Sequence, residues 1–236
     1  MKIDVLTLFP EMYNGVLNSS ILKRASENNL VEIKIHNIRD FSKDKHHRVD
    51  DYPIGGGEGM VLKVEPIYDA INYYKKPDSL VIMMTPQGKK YTQKMAYDLT
   101  KYKHLIILCG HYEGFDERIR QFVDMEISVG DFILTGGEIP SMILIDSVVR
   151  LIDGVIQENS HINDSFNDNL LDYPVYTKPI DFKGLKVPEI LLSGHHQKIN
   201  EWRKEQQIIK TKNRRPDLLE KSDSYEEELY SSKETE

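Results

Sequence analysis

The sequence predicts an α/β fold: a mainly parallel sheet with helices between its strands, followed by a small helical C-terminal domain. Three observations carry this. Short runs rich in Ile, Val and Leu alternate with helix-length segments from residue 2 to about 154, the pattern of successive βαβ units. Glycine-bearing loops follow two of these runs, and a third leads into a helix; in open α/β sheets, ligands bind beyond the carboxyl ends of the strands. Residues 157–172, QENSHINDSFNDNLLD, then turn Asn- and Asp-rich with little apolar content, which reads as a mobile linker. The predicted division is 1–156, a linker at 157–176, and 177–236.

In chain order, residues 2–9 read as a first strand ended by Pro10. Residues 12–25 place Val16, Leu17, Ile21 and Leu22 on one helical face. Val31, Ile33 and Ile35 alternate through a second strand at 30–38. Residues 39–51 are polar and of mixed charge, and four glycines follow between 55 and 59. So many glycines suit neither helix nor strand; the stretch reads as a lid or as a backbone surface for a polyanion. Helices are expected at 64–74, 91–100 and, shorter, 115–122; strands at 80–84, 105–109 and 125–129. The helix at 138–152 is read as amphipathic, with Met142, Ile145, Val149 and Ile152 on one face. Residues 173–189 hold three prolines and are irregular; 195–213 is helical, packing through Ile199, Trp202, Ile208 and Ile209. Pro216 breaks that helix before a last one, and the chain from Ser222 is acidic and reads as disordered.

Composition narrows the function classes. With 39% hydrophobic residues a core is assured, and no stretch approaches the apolar length a bilayer requires. The N-terminal apolar run is too short for a signal peptide and an acid interrupts it. The single cysteine, Cys109, fits a reducing cytoplasm. A net charge of −7 argues against a coat for nucleic acid, but residues 220–236 alone carry net −5. Residues 193–216 carry seven Lys/Arg against two Glu, a local positive patch suited to phosphate. His46 and His47 are adjacent and point apart, with no third ligand at metal spacing, so no metal site is assigned.

The organising stretch is 129–140, VGDFILTGGEIP, with Gly130, Gly136 and Gly137 around a short apolar run. Glycine lets backbone approach a ligand closely, and Pro140 suits the first turn of the helix that follows. Two further loops match it, Cys109-Gly110-His111-Tyr112-Glu113-Gly114 and Thr85-Pro86-Gln87-Gly88. Together they predict a cofactor pocket. A Rossmann dehydrogenase would carry Gly-x-Gly-x-x-Gly after its first strand; Pro-Glu-Met-Tyr-Asn-Gly stands there instead. A non-catalytic RNA-binding module would use the basic stretch and leave the glycine loops without purpose.

An ordered set of motifs carries a resemblance across residues 1–220: TLFP at 7–10, the 50–60 segment, PQG at 86–88, CGHYEGFDER at 109–118, GDFILTGGEIP at 130–140, DSF at 164–166, YTKP at 176–179 and SGHH at 193–196. The chain resembles the bacterial tRNA (guanine-N1)-methyltransferases of the TrmD type, in the SPOUT superfamily. The resemblance implies a SPOUT-type parallel sheet with a trefoil knot on its C-terminal side, a cofactor-binding domain at 1–156 and a tRNA-binding domain at 177–236. It implies S-adenosylmethionine as cofactor, guanosine 37 of tRNA as substrate, a homodimer, and Mg²⁺ as a candidate ion. It places Pro86, Gly110, Tyr112, Glu113, Val129, Gly130, Asp131, Phe132, Ile133, Leu134, Gly136, Gly137 and Pro140 at the cofactor. His111 stands where many members have arginine. Guanine N1 carries a proton and is a poor nucleophile, so methylation requires a base near N1 and a donor near O6. The resemblance assigns Asp164 as base and Arg150 to O6, although Asp164 alone would read as a turn-forming aspartate.

Overall fold

The structure, a computed structural model, describes residues 1–157, 164–166 and 168–219. The expected acidic tail and parts of the expected linker therefore lie outside the described residues. The chain forms two compact units, Met1–Glu158 and Asn159–Glu236.

The first unit is built on five strands: β1 (Lys2–Thr7), β2 (Glu32–Asn37), β3 (Ser79–Lys90), β4 (His104–Cys109) and β5 (Met125–Ser128). They lie in the order β2-β1-β4-β3-β5, every neighbouring pair parallel. Parallel sheets are covered on both faces, so their strands are buried whole. That explains β4, where all six residues are buried, and β1, where Asp4 and Thr7 are buried with their apolar neighbours. On one face Ile3, Val5, Ile82, Leu105, Ile107 and Ile127 pack with α1 (Ser20–Glu27), α3 (Gln93–Leu99) and α4 (Glu138–Val149). On the other, Leu6, Val81, Met83, Ile106 and Leu108 pack with α2 (Val64–Tyr74) and the 3₁₀ turn Glu117–Phe122.

Three local expectations are corrected. The helix expected over 12–25 is broken: a 3₁₀ turn at Pro10–Tyr13 and a short helix Asn14–Leu17 precede α1, and Ser20 takes a positive φ of 51° at the break. The strand expected at 80–84 continues to Lys90. Met84 and Lys89 both face Ile127 of β5, so 85–88 bulges out of the ladder without ending the strand. Helix α4 is not amphipathic in the expected sense: Pro140, Ser141, Leu144, Ile145, Val148 and Val149 are all buried, because it lies between the sheet, α1 and α3. Its outward stripe is also apolar, with Ile139 and Ile143 near half exposed.

The second unit holds a hairpin, Asp181–Phe182 with Leu185–Lys186, the short helix Glu189–Leu192, and α5 (His196–Arg214). Ile199 is buried as expected, but Ile208 and Ile209 are more than a third exposed; consecutive helical positions lie about 100° apart and cannot share one core-facing stripe. Residues 168–173 are fastened to α5. Lys210 Nζ donates to Asp172 O at 2.8 Å, Leu171 N to Thr211 Oγ1 at 2.8 Å, and Arg203 lies over the Tyr173 ring at 4.8 Å.

A buried carboxylate ties the middle of the sheet together. Asp4 is fully buried, and His36 Nε2 at 2.8 Å, His104 Nε2 at 2.7 Å and Lys2 Nζ at 2.7 Å all reach it. Burial raises its pKa, but the hydrogen bonds from His36, Lys2 and His104 outweigh this and hold it well below the usual carboxylate range. A lowered folded pKa contributes stability above the unfolded value, about 3.9, and loses it as pH falls through the folded one. Asp4→Ala should therefore cost about 3–5 kcal/mol near neutral pH, the effect of removing one partner from a buried charge cluster. In urea unfolding, the gap to wild type should narrow markedly at about pH 3; an unchanged gap would show that the carboxylate charge is not what stabilises the sheet.

Candidate functional site

At the carboxyl ends of β4 and β5 and the bulge of β3 lies a cleft of about 530 Å³. That volume suits a small-molecule cofactor. Three loops form it, each leaving the end or bulge of a strand. Pro86 and Gln87 come from the β3 bulge; Gly110, Tyr112 and Glu113 from the loop after β4. Val129, Gly130, Phe132, Ile133, Leu134, Gly136, Gly137 and Pro140 come from the segment between β5 and the first turn of α4.

The loops are joined by backbone. His111 and Gly136 form an antiparallel bridge, and Gly137 N donates to Gly110 O at 2.8 Å. Gly137 caps α4. A Cβ there would stand 2.8 Å from Cys109 Cα and 2.9 Å from Gly110 N, closer than real side chains come. Gly137 thus has no side chain because α4 starts against the end of β4, and its role in ligand approach is indirect. On the far wall, the glycine-rich segment expected as a lid meets the same loop: Glu113 N donates to Met60 O at 3.0 Å and Leu62 N to Gly114 O at 2.9 Å.

The lining is mixed. Ile127, Leu134, Phe132 and Pro140 supply apolar surface, while Glu113 and Glu117 bring carboxylates. Ser128 Oγ is held inward, donating to Gly130 O at 3.0 Å. Of the residues expected at the cofactor, only Asp131 is absent from the lining. Its exposed carboxylate pairs with Lys90 Nζ at 3.2 Å across the neighbouring strand. Sequence reasoning missed Arg120, which lines the cleft and binds Glu117 at 2.9 Å as well as Glu126 and Gln87. The DERIR stretch marked a short helix, but nothing in it showed which way Arg120 turns.

The two residues expected for chemistry lie on different units. Arg150 caps the far end of α4. Asp164 lies in the second unit, half-buried in a turn. Close by, Ser165 Oγ accepts from Asp172 N at 3.0 Å, and Arg215 lies 5.8 Å over the Phe166 ring. Among the described residues no group of three or more His, Cys, Asp or Glu is arranged to hold a metal ion, so the Mg²⁺ expectation finds no ligand set there. A second recess of about 580 Å³ lies within the second unit, with Tyr173, Tyr176, Leu191, Ile199 and Arg203 among its walls. Among the described residues no helix is long and apolar enough to cross a membrane.

Comparison with known proteins accords with this geometry. The family model for tRNA (Guanine-1)-methyltransferase TrmD matches residues 1–221. A tRNA (guanine-N(1)-)-methyltransferase of Dictyoglomus turgidum is 52% identical over 230 residues, 97% of this chain and 94% of its own length. Proteins of the same name from Carboxydothermus hydrogenoformans and Malacoplasma penetrans are each 58% identical, over 93% of this chain and 87% and 97% of their own lengths. With the family model spanning nearly the whole chain and relatives more than half identical along it, the protein is an enzyme of the tRNA (guanine-N1)-methyltransferase family, TrmD type.

Proposed function

We propose that the cleft holds S-adenosylmethionine and that the enzyme methylates N1 of guanosine 37, next to the anticodon of tRNA. The observation that carries this reading is the cleft itself: a recess of about 530 Å³ in which apolar side chains, exposed backbone and carboxylates converge at the ends of two parallel strands and the bulge of a third. The fit to the cofactor is chemical. Leu134, Phe132 and Pro140 offer surface for an adenine ring, glycine backbone offers donors and acceptors, and Glu113 and Glu117 suit a cationic amino acid moiety. The bound cofactor supplies an electrophilic methyl group. Everything else falls to the chain's own residues. Asp164 takes the N1 proton, Arg150 donates to O6 as negative charge gathers there, and the apolar loop 132–134 excludes water. The trefoil knot belongs to the same reading, as does a cytoplasmic location with its tRNA substrate.

The reading requires a homodimer. Arg150 follows Glu138 by twelve positions along a helix, a rise of about 18 Å, too far for an arginine to return to its own cleft. The apolar stripe Ile139 and Ile143 on α4 and the loop residue Ile133, 80% exposed, are the kind of surface a partner covers. Two copies about a two-fold axis would bring the Asp164 and Arg150 of one chain to the cofactor of the other.

The tRNA is held in part by the basic face of α5 and the residues after it. Arg203, Lys204, Lys210 and Arg215 already meet Tyr173, Asp168, Asp172 and Asp217. Lys212 and Arg214 are exposed and face outward for phosphate. Lys212→Ala with Arg214→Ala should weaken tRNA binding and lower the slope of log affinity against log salt by about 2. An unaltered slope in filter binding would remove these residues from the RNA interface.

Asp164→Asn keeps its shape but cannot take a proton, so single-turnover methylation should fall by about 10²–10⁴. Leu134→Arg places a cation against the cofactor and should abolish its binding. Co-refolding these two inactive chains makes about half the dimers mixed, and one site in each is then intact, so roughly a quarter of all sites revive. If native mass spectrometry finds mixed dimers and methylation stays at the level of the parents, base and cofactor belong to the same chain.

A further inference from the structure

Glu138 is only 1% exposed, although it carries a carboxylate. Thr7 Oγ1 donates to its Oε1 at 2.7 Å, and its place in the first turn of α4 favours negative charge. Its Oε2 has no such short contact with His111, whose Nδ1 lies 4.0 Å away. That nitrogen is buried and, among the described residues, makes no hydrogen bond. Buried polar atoms are almost always paired, so an imidazole nitrogen aimed at a buried carboxylate and stopping short of it requires an explanation. Gly136 provides one. A Cβ on Gly136 would stand 2.4 Å from Glu138 Oε2 and 2.6 Å from His111 Nδ1. Only glycine keeps the gap between the two groups open.

We propose that His111 is a proton-dependent positioning residue of the cofactor cleft. When the imidazole is protonated, Nδ1–H closes on Glu138 Oε2 through the gap at Gly136 and locks the loop after β4 onto the start of α4. The inference rests on the reading of the cleft as a cofactor site, since both elements line that cleft. A charge-assisted hydrogen bond is roughly twice as strong as a neutral one, and imidazole changes charge in the physiological range. Two further carboxylates, Glu113 and Glu117, line the same cleft, and the rings packed on His111 are aromatic. Phe9 packs on its ring from beyond β1 at 4.8 Å, and Tyr112 from its own loop at 4.9 Å. Behind Glu138, burial pushes the Cys109 thiol up to about 12 and the Tyr13 hydroxyl well above its usual range. Both stay neutral from pH 6 to pH 8, so neither adds a charge beside the Glu138 carboxylate.

The test is calorimetric titration with S-adenosylhomocysteine at pH 6 and pH 8, on wild type, His111→Gln and His111→Arg. Wild type should bind about 3- to 10-fold tighter at pH 6, the span of one charged hydrogen bond gained. His111→Gln should bind weakly and equally at both values. His111→Arg, charged throughout, should bind tightly at both. A His111→Gln or His111→Arg variant that keeps the wild-type pH dependence overturns this inference alone. Wild type that binds at neither pH overturns the cofactor reading and this inference with it.

Discussion

The site depends on one close approach: the N-terminus of α4 lies directly on the end of β4. Gly137 stands where a methyl group would be 2.8 Å from the Cα of Cys109, and its N–H is donated to Gly110 O at 2.8 Å. No other residue fits without moving the helix. Because of this seam, the loop after β4 and the loop before α4 run side by side and make two walls of one cleft. The third wall, the β3 bulge, is held by β5 on the opposite side. The apolar segment 132–134 lines the cleft and is exposed.

Strand β1 ties that seam to the middle of the sheet through side chains. β1 carries two polar residues with no exposure, Asp4 and Thr7. Asp4 gathers His36 and His104 from the strands on either side, and Thr7 holds the carboxylate of Glu138 at the head of α4. The Asp4 network is satisfied in the interior, where an unsatisfied member would be costly, whereas Glu138 Oε2 stops 4.0 Å short of His111 Nδ1. The middle of the sheet is thereby bonded across β2, β1 and β4, and its carboxyl edge is bonded to the helix that shapes the cleft. The cleft is braced by backbone on this side, and its apolar segment 132–134 is exposed.

Much of this was legible in the sequence, for a physical reason. Strands buried on both faces leave uninterrupted apolar runs and the edge strand β2 leaves alternation, so all five strands were found, although β3 runs on to Lys90, well past its expected end, with α2 matching at 64–74. The glycine loops were legible because close backbone contact excludes other residues. The reason for each glycine was not: Gly137 serves helix packing, and Gly136 leaves a gap between two side chains. The polar partners were not legible either. Asp4, His36 and His104 are far apart in sequence, and only the sheet order makes them neighbours. Arg120 and Asp131 depend on side-chain direction, which a pattern of residue types does not encode; the first turns into the cleft and the second turns to Lys90. The apolar stripe of α4 showed its period without showing that the helix is covered on several sides.

The central claim is that the three loops at 85–88, 110–114 and 129–137 form one cofactor site. Hydrogen exchange read by mass spectrometry, with and without saturating S-adenosylhomocysteine, tests it most directly. Ligand should slow exchange in all three segments together, because one molecule would complete the contacts of each. Protection confined to the recess around Tyr173, Tyr176 and Leu191, with the three loops exchanging as before, would contradict it.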